Sequence, residues 1–207
     1  MNQSEIYFFS LIFDVSSPIF DVFSLDFLAK QPIYSFVSLF ILEQSILLYA
    51  LLFVIVNNIN IKINNLELPK AADPVGSYVA TKEVGKLLYI SGQISIDING
   101  NLIKGKLGKD LKTSQGYDAA IRCALSIVAQ VKKHLDNDLS KVKSCVKLTG
   151  FVNSTDEFTE QPKVINGASD TIAKIFGEKG MHTRAAVSSN SLPLGVAVEV
   201  DAIFELN

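Results

Sequence analysis

The stretch from Val196 to Phe204 alternates without a break, with Val196, Val198, Val200, Ala202 and Phe204 interleaved with Ala197, Glu199, Asp201 and Ile203. A two-residue period of this length reads as a strand. Successive strand side chains point to opposite faces, so the valines, Ala202 and Phe204 share one side while Glu199 and Asp201 share the other. A shorter apolar run lies upstream, Arg184-Ala185-Ala186-Val187, separated from the first by Leu192-Pro193-Leu194-Gly195. If the two runs pair around that proline turn, Arg184 and Glu199 sit near one another at a sheet edge. A fixed cation beside a carboxylate can hold a small carboxylic acid and orient a water.

The segment before these runs supplies the rest of a domain. Lys86 to Ile96 reads as a strand, and Asn99-Gly100 is a strong turn signal, because both residues tolerate positive φ. Thr113 or Ser114 is the expected cap of a helix whose inward stripe is Ala120, Cys123, Ala124, Ile127, Val131 and Leu135. Val142, Ser144, Val146, Leu148, Gly150 and Val152 alternate with Lys143, Cys145, Lys147, Thr149 and Phe151, predicting a second long strand. Pro162 opens a second helix, with Val164, Ile165, Ala168, Ile172, Ile175 and Phe176 inward. The order β–β–α–β–α–β–β predicts an α+β fold, a sheet with two helices on one face.

The 207 residues divide unevenly in character. Residues 1–56 form an apolar extension whose one basic residue is Lys30, against Glu5, Asp14, Asp21, Asp26 and Glu43. Within it, residues 33–56 are long and apolar enough for a single membrane span, which takes about 20 residues. Glu43 opposes insertion by about 2.5–3.5 kcal/mol at the bilayer centre. An apolar extension packed on the domain, and a start of synthesis further in, are the competing readings. Residues 57–67 read as a polar linker and 68–207 as the folded domain. Lys62 and Lys70, on the C-terminal side of the span, place that domain in the cytoplasm. The net charge of −2 gives no basic footprint for nucleic acid. Two cysteines far apart, Cys123 and Cys145, read as buried free thiols. With only His134 and His182, a multi-histidine metal site within one chain is excluded.

Several motifs invite chemistry. Gly100 to Lys106 has phosphate-loop spacing, but Leu107 replaces the magnesium-binding hydroxyl and no helix follows directly, so a plain hairpin is the better reading. Lys141, Lys143 and Lys147 read as a solvated strand end. His182 is either a general base or a residue bordering a loop. Arg184 needs a partner in its apolar run: an ion pair with Glu199 or Asp201, or a substrate carboxylate gripped by its planar fork.

Three ordered blocks carry a family resemblance: Gly76-Ser77-Tyr78-Val79 with Leu87 to Gln93; Lys147 to Val152 followed by Phe158 and Asn166; and Arg-x-x-Val followed by Leu-Pro and Val-Glu-Val-Asp-Ala. Together they resemble the reactive intermediate deaminase family, also called YjgF-like or L-PSP endoribonuclease-like, over about Leu68 to Leu206. The resemblance implies the chorismate-mutase-like fold, a homotrimer with clefts between subunits, and no metal or organic cofactor. It also implies site roles. Arg184 holds the substrate carboxylate, and Glu199 positions the attacking water. Tyr78, Gly92 and Asn166 line the cleft. Many members carry a cysteine two residues after the arginine; Ala186 stands there, so thiol chemistry is not implied. The implied ligand is a small imino acid or its keto-acid product. The implied reaction is hydrolysis of 2-imino or enamine acids to 2-keto acids and ammonia. Two other functions remain open at this stage: an endoribonuclease, and a non-catalytic trimeric module that binds a small metabolite.

Overall fold

The computed structural model describes residues 68–207, together with Ser45 and Leu48, which lie in helical conformation. The chain divides into two compact units, Met1–Ile55 and Val56–Asn207. The candidate span 33–56 lies outside the described residues except for Ser45 and Leu48. Among the described residues no helix is long and apolar enough to cross a membrane.

Five strands and two long helices make up the second unit: β1 (Thr81–Val84), β2 (Leu87–Ile94), α1 (Thr113–His134), β3 (Val142–Asn153), α2 (Gln161–Phe176), β4 (Thr183–Ser189) and β5 (Val198–Leu206). They follow the expected β–β–α–β–α–β–β order. The sheet order is β1-β2-β5-β3-β4. β5 is antiparallel to both β2 and β3, and β4 is parallel to β3. The last strand in the chain is therefore the middle of the sheet.

The alternation of β5 is realised in full. Val198, Val200, Ala202 and Phe204 are buried, while Glu199, Asp201 and Ile203 are half-buried on the other face. The buried face meets both helices. All six residues expected on the stripe of α1 are buried, from Ala120 to Leu135, and so are the six expected on α2. Phe176 of α2 tilts against Phe204 of β5 with ring centroids 5.7 Å apart, a geometry that suits the aromatic quadrupoles. The two helices touch at Gly167, where an added Cβ would stand 2.1 Å from the carbonyl oxygen of Tyr117.

Four expectations need correction. β4 and β5 do not pair around the Leu192-Pro193 turn. β4 follows α2 and lies parallel to β3, while β5 takes the slot on the other side of β3. Cys145 is a buried free thiol as expected, but it does not share the face of Lys143 and Lys147 that simple alternation gives it. An irregularity between Cys145 and Lys147 sets two β3 residues against one of β5, so Cys145 faces Phe204 and is buried. The Asn99-Gly100 turn forms, with Gly100 at φ 85°, but closes only the isolated bridge Ile96↔Leu102. The first hairpin lies upstream, β1 to β2 around Gly85. Thr113 does not cap α1: the N-cap is Lys112, whose N–H donates to Gln115 Oε1 at 2.9 Å, while the Thr113 hydroxyl donates to Glu160 of the segment before α2.

Two predictions follow from this architecture. Gly167→Ala forces the α1–α2 contact apart against rigid backbone and destabilises the domain by about 1–3 kcal/mol, read as a lower midpoint in urea unfolding. A chain beginning at Asn60 retains the complete described sheet and both helices, and is expected to unfold in one cooperative transition by circular dichroism.

Candidate functional site

The sheet's open face carries the first cluster. Glu199 pairs with Ile94 of β2 and Phe151 of β3, and its carboxylate lies directly over Gly92. A Cβ at position 92 would stand 1.9 Å from Glu199 Oε1, so glycine here makes room for the acid. The β2–β5 register shifts between Ile90 and Gln93, and Gly92 belongs to that irregularity. Burial pushes the Glu199 carboxyl above its usual range, and the neighbouring Asp201 charge adds to the rise. Next to it, Ser91 donates its hydroxyl to Val79 O at 2.7 Å and its N–H to Ala80 O at 2.9 Å. These bonds tie the segment after Tyr78 to the Ser91-Gly92 irregularity of β2. Tyr78 itself is exposed.

A second cluster forms on the helix side, at the free edge of the sheet. Arg184 is in register with Leu148, whose side chain is fully buried under the helices. Its guanidinium accordingly reaches α2, where Nη1 donates to Asn166 Oδ1 at 2.8 Å and to Ser169 Oγ at 3.0 Å. Asn166 and Ser169 are three residues apart, a spacing that places both on one helix face. Arg184 is exposed and forms no ion pair with a described residue. The ion pair with Glu199 or Asp201, one of the two expected alternatives, is therefore not made.

Within one chain the two clusters do not meet. β3 separates β4 from β5, placing Arg184 and Glu199 two strand spacings apart, about 10 Å. Their β3 partners, Leu148 and Phe151, add about another 10 Å along the strand. They also point to opposite faces of the sheet. Arg184 and Asn166 come together, as do Gly92 and Glu199.

His182 lies behind Arg184 rather than beside Glu199. Its Nδ1 is 2.7 Å from Gly180 O and its Nε2 3.0 Å from Ser169 Oγ. Ser169 went unrecognised in the sequence; the three-residue step from Asn166 is the signal that marks it. Both thiols are buried and unpaired. Burial raises both, pushing Cys145 up to about 12, so neither is a nucleophile near neutral pH.

Residues 59–206 match the family described as "YjgF/chorismate mutase-like, putative endoribonuclease". The chain belongs to this family. Among YjgF-like relatives, Protein TCP17 of Trypanosoma cruzi is 46% identical over 72% of this chain and 92% of its own. The 2-iminobutanoate/2-iminopropanoate deaminase of mouse is 27% identical over 65% of this chain and 84% of its own. A crystal structure of a protein of unknown function from Agrobacterium tumefaciens is 42% identical, with TM-score 0.67, covering 74% of this chain and 96% of that one. The structure of a "putative endoribonuclease" from Shewanella oneidensis MR-1 is 36% identical, with TM-score 0.66, over 70% and 95% of the two chains. The mixed five-stranded sheet with two helices is thus the YjgF-like fold.

The environment of Glu199 yields a stability prediction. A carboxyl whose folded-state value is raised stabilises fully below its unfolded value, and that contribution is lost as pH rises through the folded value. At neutral pH the charged Glu199 therefore opposes folding. Glu199→Gln is expected to melt above the parent at pH 7, with the difference shrinking as pH falls toward the carboxylate range. Calorimetry across that range checks it.

Proposed function

We propose that the domain hydrolyses small 2-imino or enamine acids to 2-keto acids and ammonia. The observation that carries this reading is Arg184, a cation held by two neutral acceptors with no acidic partner among the described residues. Such a group is ready to grip a carboxylate through its planar fork. The name of the mouse relative supplies the reaction class.

In this reading Arg184 anchors the substrate carboxylate and Glu199 holds a water against the C=N carbon. The raised Glu199 carboxyl is a stronger base than an ordinary glutamate once ionised. It accepts a proton as the water oxygen bonds to carbon. The nitrogen takes up that proton to give a carbinolamine; Glu199 then passes the carbinol O–H proton to the same nitrogen as the C–N bond breaks, so that ammonia leaves and the carbonyl forms. Tyr78 and Gly92 line the Glu199 side, and Asn166 the Arg184 side. Because Arg184 and Glu199 face opposite sides of one sheet, the reading requires a neighbouring copy to bring the two clusters together, and the trimer implied by the family resemblance would supply it. The domain is then cytoplasmic, in reach of metabolic intermediates. An endoribonuclease is the second reading, supported by the name of the Shewanella relative. The side-by-side acids Glu199 and Asp201 argue against it, since they repel a phosphate backbone.

The test is ammonia release from 2-iminopropanoate generated in situ. Arg184→Lys keeps the charge but not the two-bond clamp, and is expected to lose most turnover. Turnover by Arg184→Lys at the parent rate would show that the clamp is not used. The parent rate is expected to fall as pH drops through the raised Glu199 value. Inactive Arg184→Ala and Glu199→Gln chains, unfolded and refolded together, are expected to regain activity that neither has alone. No regain would place both groups in a site built by one chain.

A further inference from the structure

We infer that Ser169 and His182 are positioning residues that fix the Arg184 guanidinium for its ligand, an inference that rests on the proposed carboxylate clamp.

The proton inventory of this cluster admits one arrangement for a neutral His182. Gly180 O is a carbonyl and can only accept, so His182 Nδ1, 2.7 Å away, carries the hydrogen. Nε2 is then a lone-pair acceptor. Ser169 Oγ, 3.0 Å from it, donates its single hydrogen there. With its hydrogen committed, Ser169 presents only lone pairs to Arg184 Nη1 at 3.0 Å. Asn166 Oδ1 accepts from the same nitrogen at 2.8 Å. One guanidinium nitrogen is thus saturated by two acceptors on α2.

Each link is anchored. Ser169 and Asn166 ride on one face of a 16-residue helix packed on the sheet. His182 precedes β4 by one residue, and Arg184 is the second residue of that strand. The chain Gly180–His182–Ser169–Arg184 therefore ties the start of the edge strand to α2. Without it, the exposed arginine is left with one acceptor and its rotamers are freed. Ordering such a side chain when the ligand binds then weakens binding. His182 acts here through Ser169 and touches no substrate.

The experiment measures Kd for 2-oxobutanoate by calorimetry, and kcat for ammonia release, on the full chain. Ser169→Ala and His182→Asn are each expected to weaken binding about tenfold, as for one hydrogen bond to a charged group, with kcat changed less than about twofold. His182→Asn keeps a donor near the Nδ1 position and deletes Nε2. His182→Gln places an amide oxygen near Nε2 and is expected to recover part of the loss, as is Ser169→Thr, which keeps the hydroxyl. The double variant Ser169→Ala/His182→Asn is expected to cost no more than the worse single one, because both act through one hydroxyl.

Additive losses, or Ser169→Ala binding like the parent while Arg184→Ala does not, would overturn this inference and leave the clamp standing. Arg184→Ala binding like the parent would overturn both. A readout independent of ligand is the neutral His182 tautomer by nitrogen NMR. Nδ1–H is expected, and Nε2–H would sink the proton assignment on which the network rests.

Discussion

The rest of the domain depends on the insertion of β5 between β2 and β3. Its backbone bonds to both neighbours, from Leu87↔Glu205 on one side to Val152↔Val198 on the other. Without it, β2 and β3 would face each other across an empty slot with their N–H and C=O groups unpaired, an arrangement a buried sheet does not tolerate. The same strand delivers Phe204, Val200 and Val198 to the core beneath both helices. Its alternate residues carry Glu199 and Asp201 to the open face. A single segment thus sets the sheet order, the apolar core and the position of the raised carboxyl.

That arrangement also explains why a cation and an acid essential to the proposed chemistry stand apart in one chain. Arg184 occupies an edge strand, where a charge remains hydrated and its unpaired state is inexpensive. Glu199 sits in the central strand, where neighbours on both sides remove water from it. One residue is kept available by the edge, and the other is tuned by burial. In the proposed reaction, bringing them together requires a surface from outside the chain.

Much of this was legible in the sequence. Period-two alternation placed β5 and its two faces, and 3.6-residue stripes placed both helices, because each signal is local and repeats several times. The pairing of β4 was misread because Leu192-Pro193 resembles a hairpin turn. Pairing with β3 is non-local, set by the crossover through α2, and leaves no mark in the intervening residues. The burial of Cys145 was legible but its face in β3 was not: an irregularity between Cys145 and Lys147 shifts the phase, a second between Val142 and Ser144 restores it, and nothing in Val142 to Lys147 announces either. Of the site, Arg184, Asn166, Gly92 and Glu199 were named from motif resemblance, and two pairs among them do come together. The hydrogen-bond partners of His182 were not legible. Its neighbours Gly180 and Ser169 approach from a turn and a helix face, a three-body arrangement that spacing alone does not encode.

The central place of β5 has a consequence for how the chain is made. Ribosomes release β2, α1, β3, α2 and β4 before β5 emerges. Until Val198 to Leu206 arrives, β2 and β3 present two bare, apolar edges, each open to strands from other chains. The helices can form early, but the contacts that close the sheet join residues from 46 positions apart, as in Val152↔Val198, to 118 apart, as in Leu87↔Glu205. High contact order of this kind slows folding, and exposed edges turn that delay into an aggregation hazard. The strand that completes the sheet is therefore also the point of greatest vulnerability in biogenesis, where truncation or delayed synthesis would leave an adhesive, half-built sheet rather than a smaller stable domain.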